Sequence, residues 1–92
     1  MNMESTQMAN PVEPYPKSDT VAFGSAVKSR RKELGISQEE LAERAGLHRT
    51  YVCDVERGAR NLSLHSIVRI AAALKIAPAA LFGGFEGVSL SN

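Results

Sequence analysis

Residues 38–57 have the sequence QEELAERAGLHRTYVCDVER, which contains two short amphipathic segments separated by a glycine. Leu41 and Ala45 share one face of a first helix, and Val52 and Val55 share one face of a second, so the two apolar faces can meet over a common core. A helix that ends at a glycine and restarts after three or four residues is typical of a helix-turn-helix. This motif places its second helix in the major groove of DNA.

The ends of the first of these helices are encoded locally. Ser37 precedes Glu40 by three residues, which predicts a capping box in which each side chain accepts a hydrogen bond from the other residue's amide. Gly46 follows the last turn, where the chain needs a left-handed conformation that glycine adopts without steric cost. We expect Ala42 at the closest crossing of the two helices, because a larger side chain would force them apart.

The length of 92 residues allows one small domain, and its formal net charge is only +1. The charge is unevenly distributed. Residues 20–76 carry ten Lys or Arg and six Asp or Glu, a balance of +4, whereas residues 1–19 total −2 and residues 77–92 total −1. The folded region is therefore basic and its ends slightly acidic, a distribution that is compatible with a nucleic-acid partner.

The rest of the chain predicts an all-α domain of five helices with a flexible N-terminal tail. Residues 1–18 contain three prolines and few apolar groups, so we expect them to be flexible. The helix-turn-helix DNA-binding and dimerisation domain is predicted over 19–83, with Asp19 or Thr20 capping a first helix over 21–34. A fourth helix is predicted over 64–74, capped by Ser63, and a short fifth one begins at Pro78. Residues 84–92 are left as a C-terminal tail.

Several functional classes receive no support from the sequence. No apolar run is long and uncharged enough to span a bilayer, and the N-terminus does not have the form of a signal peptide, so we expect a cytoplasmic protein. The pattern offers no nucleophile–base pair, no paired carboxylates and no phosphate loop, which argues against an enzyme, and we expect no cofactor and no metal. Cys53 is the single cysteine. It is either a small side chain that only fills space or a redox-sensitive thiol on the DNA-binding helix, and the first interpretation is the simpler one.

The chain resembles the lambda-repressor-like helix-turn-helix proteins, also called the XRE family, over about residues 21–82. Within that family it is most similar to the controller proteins of restriction-modification systems and related small repressors. The residues that carry the resemblance are Phe23-Gly24, Val27-Lys28, Arg31, Gly35, Ser37-Gln38-Glu39, Leu41-Ala42, Gly46-Leu47, Glu56-Arg57-Gly58, Ile70-Ala71 and Leu74. The run from Leu47 to Val52 and the run from Glu56 to Leu64 carry the similarity to the controller proteins.

The second helix of the motif supplies the candidate contacts to bases. Arg49 and Thr50 lie at its N-terminal end, the part that faces base edges in this docking geometry, and arginine can grip guanine O6 and N7 together. Arg49 could instead contact phosphate alone, and Thr50 could be a solvent-exposed residue. Tyr51 either reaches the DNA backbone through its hydroxyl or packs its ring inside the domain. We expect Asp54 to repel wrong sequences or to orient Arg49, although it could accept from a cytosine amino group.

A second set of residues is expected to position the protein on the DNA backbone. The resemblance implies that Gln38, at the start of the first motif helix, and Arg60 and Asn61, after the second, contact phosphates. His48 is expected to cap the second helix or to lie beside the DNA backbone, and Arg57 belongs to the same predicted surface. The resemblance further implies a partly buried structural ion pair between Arg31 and Glu56, which would tie the helix predicted over 21–34 to the end of the second helix of the motif.

The fourth helix is more apolar than one core-facing stripe requires. Leu64, Ile67, Ala71 and Leu74 would be enough to cover the core, yet Val68, Ala72 and Ala73 make the helix apolar almost all round. Surplus apolar surface indicates a second buried face, which we interpret as a homodimer interface. The residues assigned to this interface are Val68, Ala72, Ile76, Leu81, Phe82 and Phe85.

These patterns together predict a sequence-specific transcriptional regulator that binds a pseudo-palindromic DNA operator as a homodimer. The expected partners are double-stranded DNA and a second copy of the chain. A protein of a different class remains open, namely a protein-interaction module such as an antitoxin, in which DNA binding is secondary. A protein that copurifies with the chain in a fixed ratio would favour that alternative.

The assignment of Arg49 to base recognition can be tested by substitution. Arg49→Ala should lose roughly 1–3 kcal/mol of binding free energy on the preferred site and should flatten discrimination at one guanine per half-site. Binding titrations against a set of single-base operator variants measure both effects. An equal loss of affinity on preferred and random DNA would show that Arg49 contacts only phosphate.

Overall fold

The computed structural model describes residues 17–83 as a helical domain. Within this range the chain forms four α-helices, α1 (Lys17–Glu33), α2 (Gln38–Ala45), α3 (Arg49–Glu56) and α4 (Leu64–Ala73), followed by a 3₁₀ turn (Pro78–Phe82). The all-α class is therefore as predicted, but the expected fifth helix is a single 3₁₀ turn of five residues. The expected tails, except residues 17 and 18, lie outside the described residues, as does Phe85. None of the helices between residues 17 and 83 is long and apolar enough to cross a membrane.

The N-terminal end of α1 differs from the prediction. The helix begins at Lys17, four residues before the expected start at residue 21, so Thr20 lies inside the helix and is not its cap. The Thr20 hydroxyl instead donates to the carbonyl oxygen of Gly58, 2.8 Å away, and the residue is buried. Thr20 thus links α1 to the turn that follows α3.

The α2–turn–α3 unit follows the local signals closely. The Ser37 side chain accepts a hydrogen bond from the Glu40 amide at 3.0 Å, so the predicted cap is confirmed. The Glu40 carboxylate pairs with Arg44 at 2.8 Å and so supplies no return bond to Ser37. Gly46 has the left-handed backbone expected at a helix end, with φ of 70°, and the Leu47 amide donates back to the Ala42 carbonyl oxygen at 2.8 Å.

The core lies where α1, α2, α3 and α4 meet. Its fully or nearly fully buried apolar residues are Phe23, Val27, Ile36, Leu41, Ala42, Ala45, Val52, Val55, Ile70, Ala71, Ala73, Leu74 and Leu81. Leu41, Ala45, Val52 and Val55 are all in this set, which confirms the pairing of the two apolar faces. Burial of this shared surface provides the main driving force for holding α2 and α3 together.

The face that α4 turns toward the core was predicted only in part. Ala71 and Leu74 are buried and Ile67 packs against the core, but Leu64 is 76% exposed and cannot cover the core. Ile70, which was not assigned to the core in advance, is fully buried and takes that place. Leu64 is the first residue of α4, and the row of Ile67, Ile70, Ala71 and Leu74, spaced by three or four residues, covers the core without it.

The segment after α4 packs back onto α1. Leu81 is 1% exposed, so its assignment to the dimer interface was wrong: the 3₁₀ turn directs this side chain into the core of its own domain. Phe82 is 38% exposed and its ring centroid lies 5.4 Å from that of Phe23, with the ring planes tilted by 40°. Arg30 of α1 donates to the Leu74 carbonyl oxygen at 3.0 Å and so satisfies the C-terminal end of α4.

Gly24 allows α1 to approach the end of α3 closely. A Cβ atom built at this position would lie 2.1 Å from the Val55 carbonyl oxygen and 3.0 Å from that of Glu56. Both obstacles are backbone atoms of a helix, so they cannot rotate away as a flexible side chain could. A side chain at residue 24 would therefore have to push α1 away from α3.

Gly24→Ala should accordingly destabilise the domain by roughly 1–3 kcal/mol, the usual cost of overpacking a core. Helix propensity alone predicts the opposite sign, since alanine in a helix interior is favoured over glycine by about 0.5–1 kcal/mol. The free energy of unfolding from urea titration decides between them. The matched control is Ser25→Ala at the neighbouring exposed position, which should leave stability nearly unchanged. A Gly24→Ala variant as stable as the parent would contradict the close approach.

Candidate nucleic-acid interface

The first turn of α3 is exposed to solvent, while the inner face of the helix is packed into the core. Val52 and Val55 are 0% and 1% exposed and pack α3 against α1 and α2, whereas Arg49 and Thr50 in the first turn are exposed. His48 occupies the N-cap position, but its side chain makes no capping hydrogen bond, so the first alternative for this residue was wrong and a position beside the DNA backbone stays a prediction. The two residues predicted to contact bases are thus both presented at the exposed end of the helix.

Asp54 contacts different arginines from the one predicted. Its carboxylate accepts from Arg57 at 2.6 Å and from Arg60 at 3.1 Å. No hydrogen bond or ion pair joins it to Arg49, so the expectation that Asp54 orients Arg49 was wrong. The physical reason is reach: Arg57 is three residues further along α3 and Arg60 lies in the turn that follows, so both guanidiniums converge on one carboxylate.

This pairing changes the ionisation of the groups involved. The hydrogen bond from Arg57, followed by that from Arg60, holds the pKa of the Asp54 carboxyl below its usual value. The same bond from Arg57 to Asp54 raises the pKa of the Arg57 guanidinium. Asp54 therefore stays ionised at an acidity that protonates an ordinary aspartate, and the three side chains carry a combined charge of +1 across the neutral range.

Tyr51 connects this group of charges to the domain. The Arg60 guanidinium carbon lies 4.6 Å from the centroid of the Tyr51 ring, a cation–π contact, and the ring itself packs partly against the core. The alternative in which Tyr51 packs inside the domain is thus partly realised, on the face that carries Arg60. A contact between the Tyr51 hydroxyl and the DNA backbone stays a prediction.

Arg31 and Glu56 form the ion pair implied by the family resemblance. Arg31 Nε lies 2.6 Å from Glu56 Oε2 and Arg31 Nη2 lies 3.1 Å from Glu56 Oε1, with the two side chains only 11% and 2% exposed. Arg31 Nη1 also donates to the Ile36 carbonyl oxygen at 2.8 Å. The hydrogen bond to Glu56 raises the pKa of Arg31 in spite of the opposing effect of burial. The pair therefore joins α1 to the C-terminal end of α3.

Gln38 has a role inside the domain that the sequence did not reveal. Its side-chain Nε2 donates to Glu56 Oε1 at 3.0 Å, so Glu56 receives hydrogen bonds from both α1 and the first residue of α2. A local pattern could not show this bond, because the two residues are eighteen positions apart. The predicted contact of Gln38 with the DNA backbone remains a prediction.

The remaining predicted residues lie at the edges of this surface. Asn61 is exposed in the α3–α4 connection, beside an apolar depression lined by Phe23, Leu62 and Phe82 among others. Cys53 is half-buried on α3, so neither the structural nor the redox interpretation is decided. The structure thus brings Tyr51, Asp54, Arg57 and Arg60 together, and places Arg49 and Thr50 at the other end of the same helix.

Comparison with known proteins identifies the family. A helix-turn-helix family model, HTH_3, matches residues 27–81, more than half of the chain. The chain belongs to this family of XRE-like DNA-binding transcription regulators. The family and the similar proteins are regulatory DNA-binding proteins.

Similar proteins include restriction-modification controllers, as the sequence analysis predicted. The control protein C.BamHI of Bacillus amyloliquefaciens is 47% identical over 57 residues, which cover 61% of this chain and 70% of that protein. The crystal structure of the controller C.AhdI from Aeromonas hydrophila matches with a TM-score of 0.69 and 49% identity, over 71% of this chain and 98% of that one. SinR, a master regulator for biofilm formation solved in complex with DNA, matches with a TM-score of 0.62 and 35% identity, over 64% and 95% of the two chains.

Proposed function

We propose that this protein regulates transcription by binding a pseudo-palindromic operator as a homodimer, and that it represses or switches nearby promoters by occupying them. The observation that carries the proposal is the exposed N-terminal end of α3, where Arg49 and Thr50 project from a helix whose other face is fully buried. Such a helix end fits the major groove, where base edges are read. The DNA-bound state of the related SinR supports this interpretation.

Contacts on either side of α3 would set the position of the domain along the DNA backbone. Arg57 and Arg60 follow the recognition helix, with side chains that are 64% and 42% exposed, and Asn61 is exposed beside them. Exposed guanidiniums attract phosphate and release bound counterions, which gives affinity without sequence preference. We therefore assign base reading to the start of α3 and phosphate contact to its end and to the α3–α4 connection.

The dimer proposal rests on an apolar stripe along the outer face of α4. Leu64, Val68 and Ala72 are spaced by four residues, which places them in one row, and they are all exposed, Leu64 to 76% and Val68 to 47%. Leu64 thus joins the proposed interface in place of Leu81. Ile76 is half-buried and Phe82 is partly exposed, so both can still contribute at the edge. Pairing of this stripe with its copy about a twofold axis would remove it from water.

A twofold dimer would set the form of the operator. Two copies of α3 related by the axis would reach successive major grooves about 34 Å apart, one turn of DNA. Each half-site would then be an inverted copy of the other. A single domain of this size contacts too few base pairs for useful specificity, so the second copy would be needed for both site length and spacing.

The experiment first selects bound sequences from random DNA and then tests the stripe. We expect the selected site to be an inverted repeat. We also expect Val68→Glu to give a folded monomer with much weaker affinity for that site, because the unpaired charge would have to be buried in the interface. Sedimentation measures the mass and a binding titration the affinity. Ser25→Glu on the exposed side of α1 is the control for added charge and should leave the mass unchanged.

Two results would contradict the proposal. Selection without symmetry would exclude the twofold dimer on DNA. A Val68→Glu variant that remains dimeric and binds the site like the parent would show that the stripe is not the interface, and a protein that binds the α4 stripe would become the leading alternative.

A further inference from the structure

The carboxylate of Asp54 lies between two guanidiniums at the C-terminal end of the recognition helix. The Nη2 atoms of Arg57 and Arg60 lie 2.6 Å and 3.1 Å from its two oxygens. The Asp54 side chain is 21% exposed, whereas those of Arg57 and Arg60 are 64% and 42% exposed. The Asp54 side chain is therefore less exposed than the two arginine side chains with which it pairs.

Each arginine uses only one of its terminal nitrogens for this contact within residues 17–83. Apart from a minor interaction of Arg57 with the Cys53 side chain, the other N–H donors of both guanidiniums form no hydrogen bond with the described part of the chain, and the Arg60 guanidinium carbon also lies 4.6 Å from the centroid of the Tyr51 ring. A guanidinium carries five N–H donors, so both side chains can bind a phosphate while they keep their bond to Asp54. The pair is thus fixed in place before any phosphate arrives.

The same carboxylate opposes binding to an arbitrary stretch of DNA. It cancels one of the two positive charges and repels any phosphate that approaches from its own direction. A phosphate that meets the outer edges of both guanidiniums gains two prearranged contacts. A phosphate in another position must break the Asp54 bonds or remain close to a negative charge, and therefore binds less well.

We propose that Asp54 is a specificity-determining residue, which favours the operator over other DNA by fixing the Arg57 and Arg60 guanidiniums and cancelling one of their charges. This inference rests on the proposed operator binding and adds a residue that need not touch the DNA. Part of the discrimination between the operator and other DNA would then come from where the DNA backbone lies at the end of α3. This part adds to base reading by Arg49 at the start of the same helix.

The test compares Asp54→Asn with the parent on the selected operator and on a random duplex, each over a range of salt concentrations. Loss of the negative charge should raise the affinity for random DNA about tenfold. It should also increase the magnitude of the slope of log affinity against log salt concentration by up to about one, which corresponds to one more released counterion. On the operator this gain should be offset by loss of the fixed guanidiniums. The ratio of the two dissociation constants should therefore fall at least about fivefold.

Two further variants separate position from charge. Glu43→Gln removes the same charge from an exposed site on α2, where no ion pair with residues 17–83 is formed, and should leave the ratio unchanged. Asp54→Glu keeps the charge but moves the carboxylate outward, so its ratio should lie between those of the parent and Asp54→Asn. Circular dichroism and thermal unfolding establish whether each variant is folded. If Asp54→Asn is not folded, the comparison of Asp54→Glu with the parent provides the test.

The outcomes distinguish this inference from the proposed function. Suppose that the parent prefers its operator, and that Asp54→Asn leaves the ratio of the two dissociation constants unchanged or changes it only as much as Glu43→Gln does. This result would overturn the role of Asp54 and leave operator binding intact. A parent that shows no preference for any DNA sequence would overturn the proposed function, and the role of Asp54 with it.

Discussion

The buried ion pair between Arg31 and Glu56 is the interaction on which the position of the recognition helix depends. Glu56 is the last residue of α3, and its carboxylate accepts two bonds from Arg31 of α1 and one from Gln38 of α2. A carboxylate that is only 2% exposed is tolerable because it is fully paired, and it would be strongly unfavourable alone. Three helices are therefore joined at one point, directly beside the close approach of α1 at Gly24.

The two ion-pair groups along α3 have opposite surroundings and hence different consequences. The Glu56 group is closed to solvent and fixes the helix, whereas the Asp54 group lies at the surface and leaves most N–H donors of its arginines available. Arg49, at the far end of the helix, is exposed and forms no ion pair with residues 17–83. The interior ion pair thus fixes α3, and the exposed guanidiniums at its outer edge are the groups that we propose to contact DNA phosphates.

The sequence predicted features that local chemistry determines, and it was less successful where tertiary packing decides. Ser37 and Gly46 mark helix ends through their own backbone and side-chain preferences, and both were placed correctly. Leu64 and Leu81 were misassigned and Ile70 was left out of the core, because which apolar residues at the two ends of this segment face inward depends on how α4 and the 3₁₀ turn pack against α1 and α2. The bond from Gln38 to Glu56 depends on how α2 sits against α3, which no short-range spacing reveals, whereas Arg57 lies three residues after Asp54, a spacing at which helical side chains meet, so this partner was within reach of sequence analysis.

A double-mutant cycle on Arg31 and Glu56 tests most directly whether this pair holds α3 in place. The free energy of unfolding is measured for Arg31→Met, Glu56→Leu and the double variant, with a stabilising osmolyte present throughout. Each single change should cost roughly 3–5 kcal/mol because it strands one buried charge, and the double variant should be more stable than either single one. If the double variant loses the sum of the two single effects, the residues are not coupled and α3 is held by its apolar face alone.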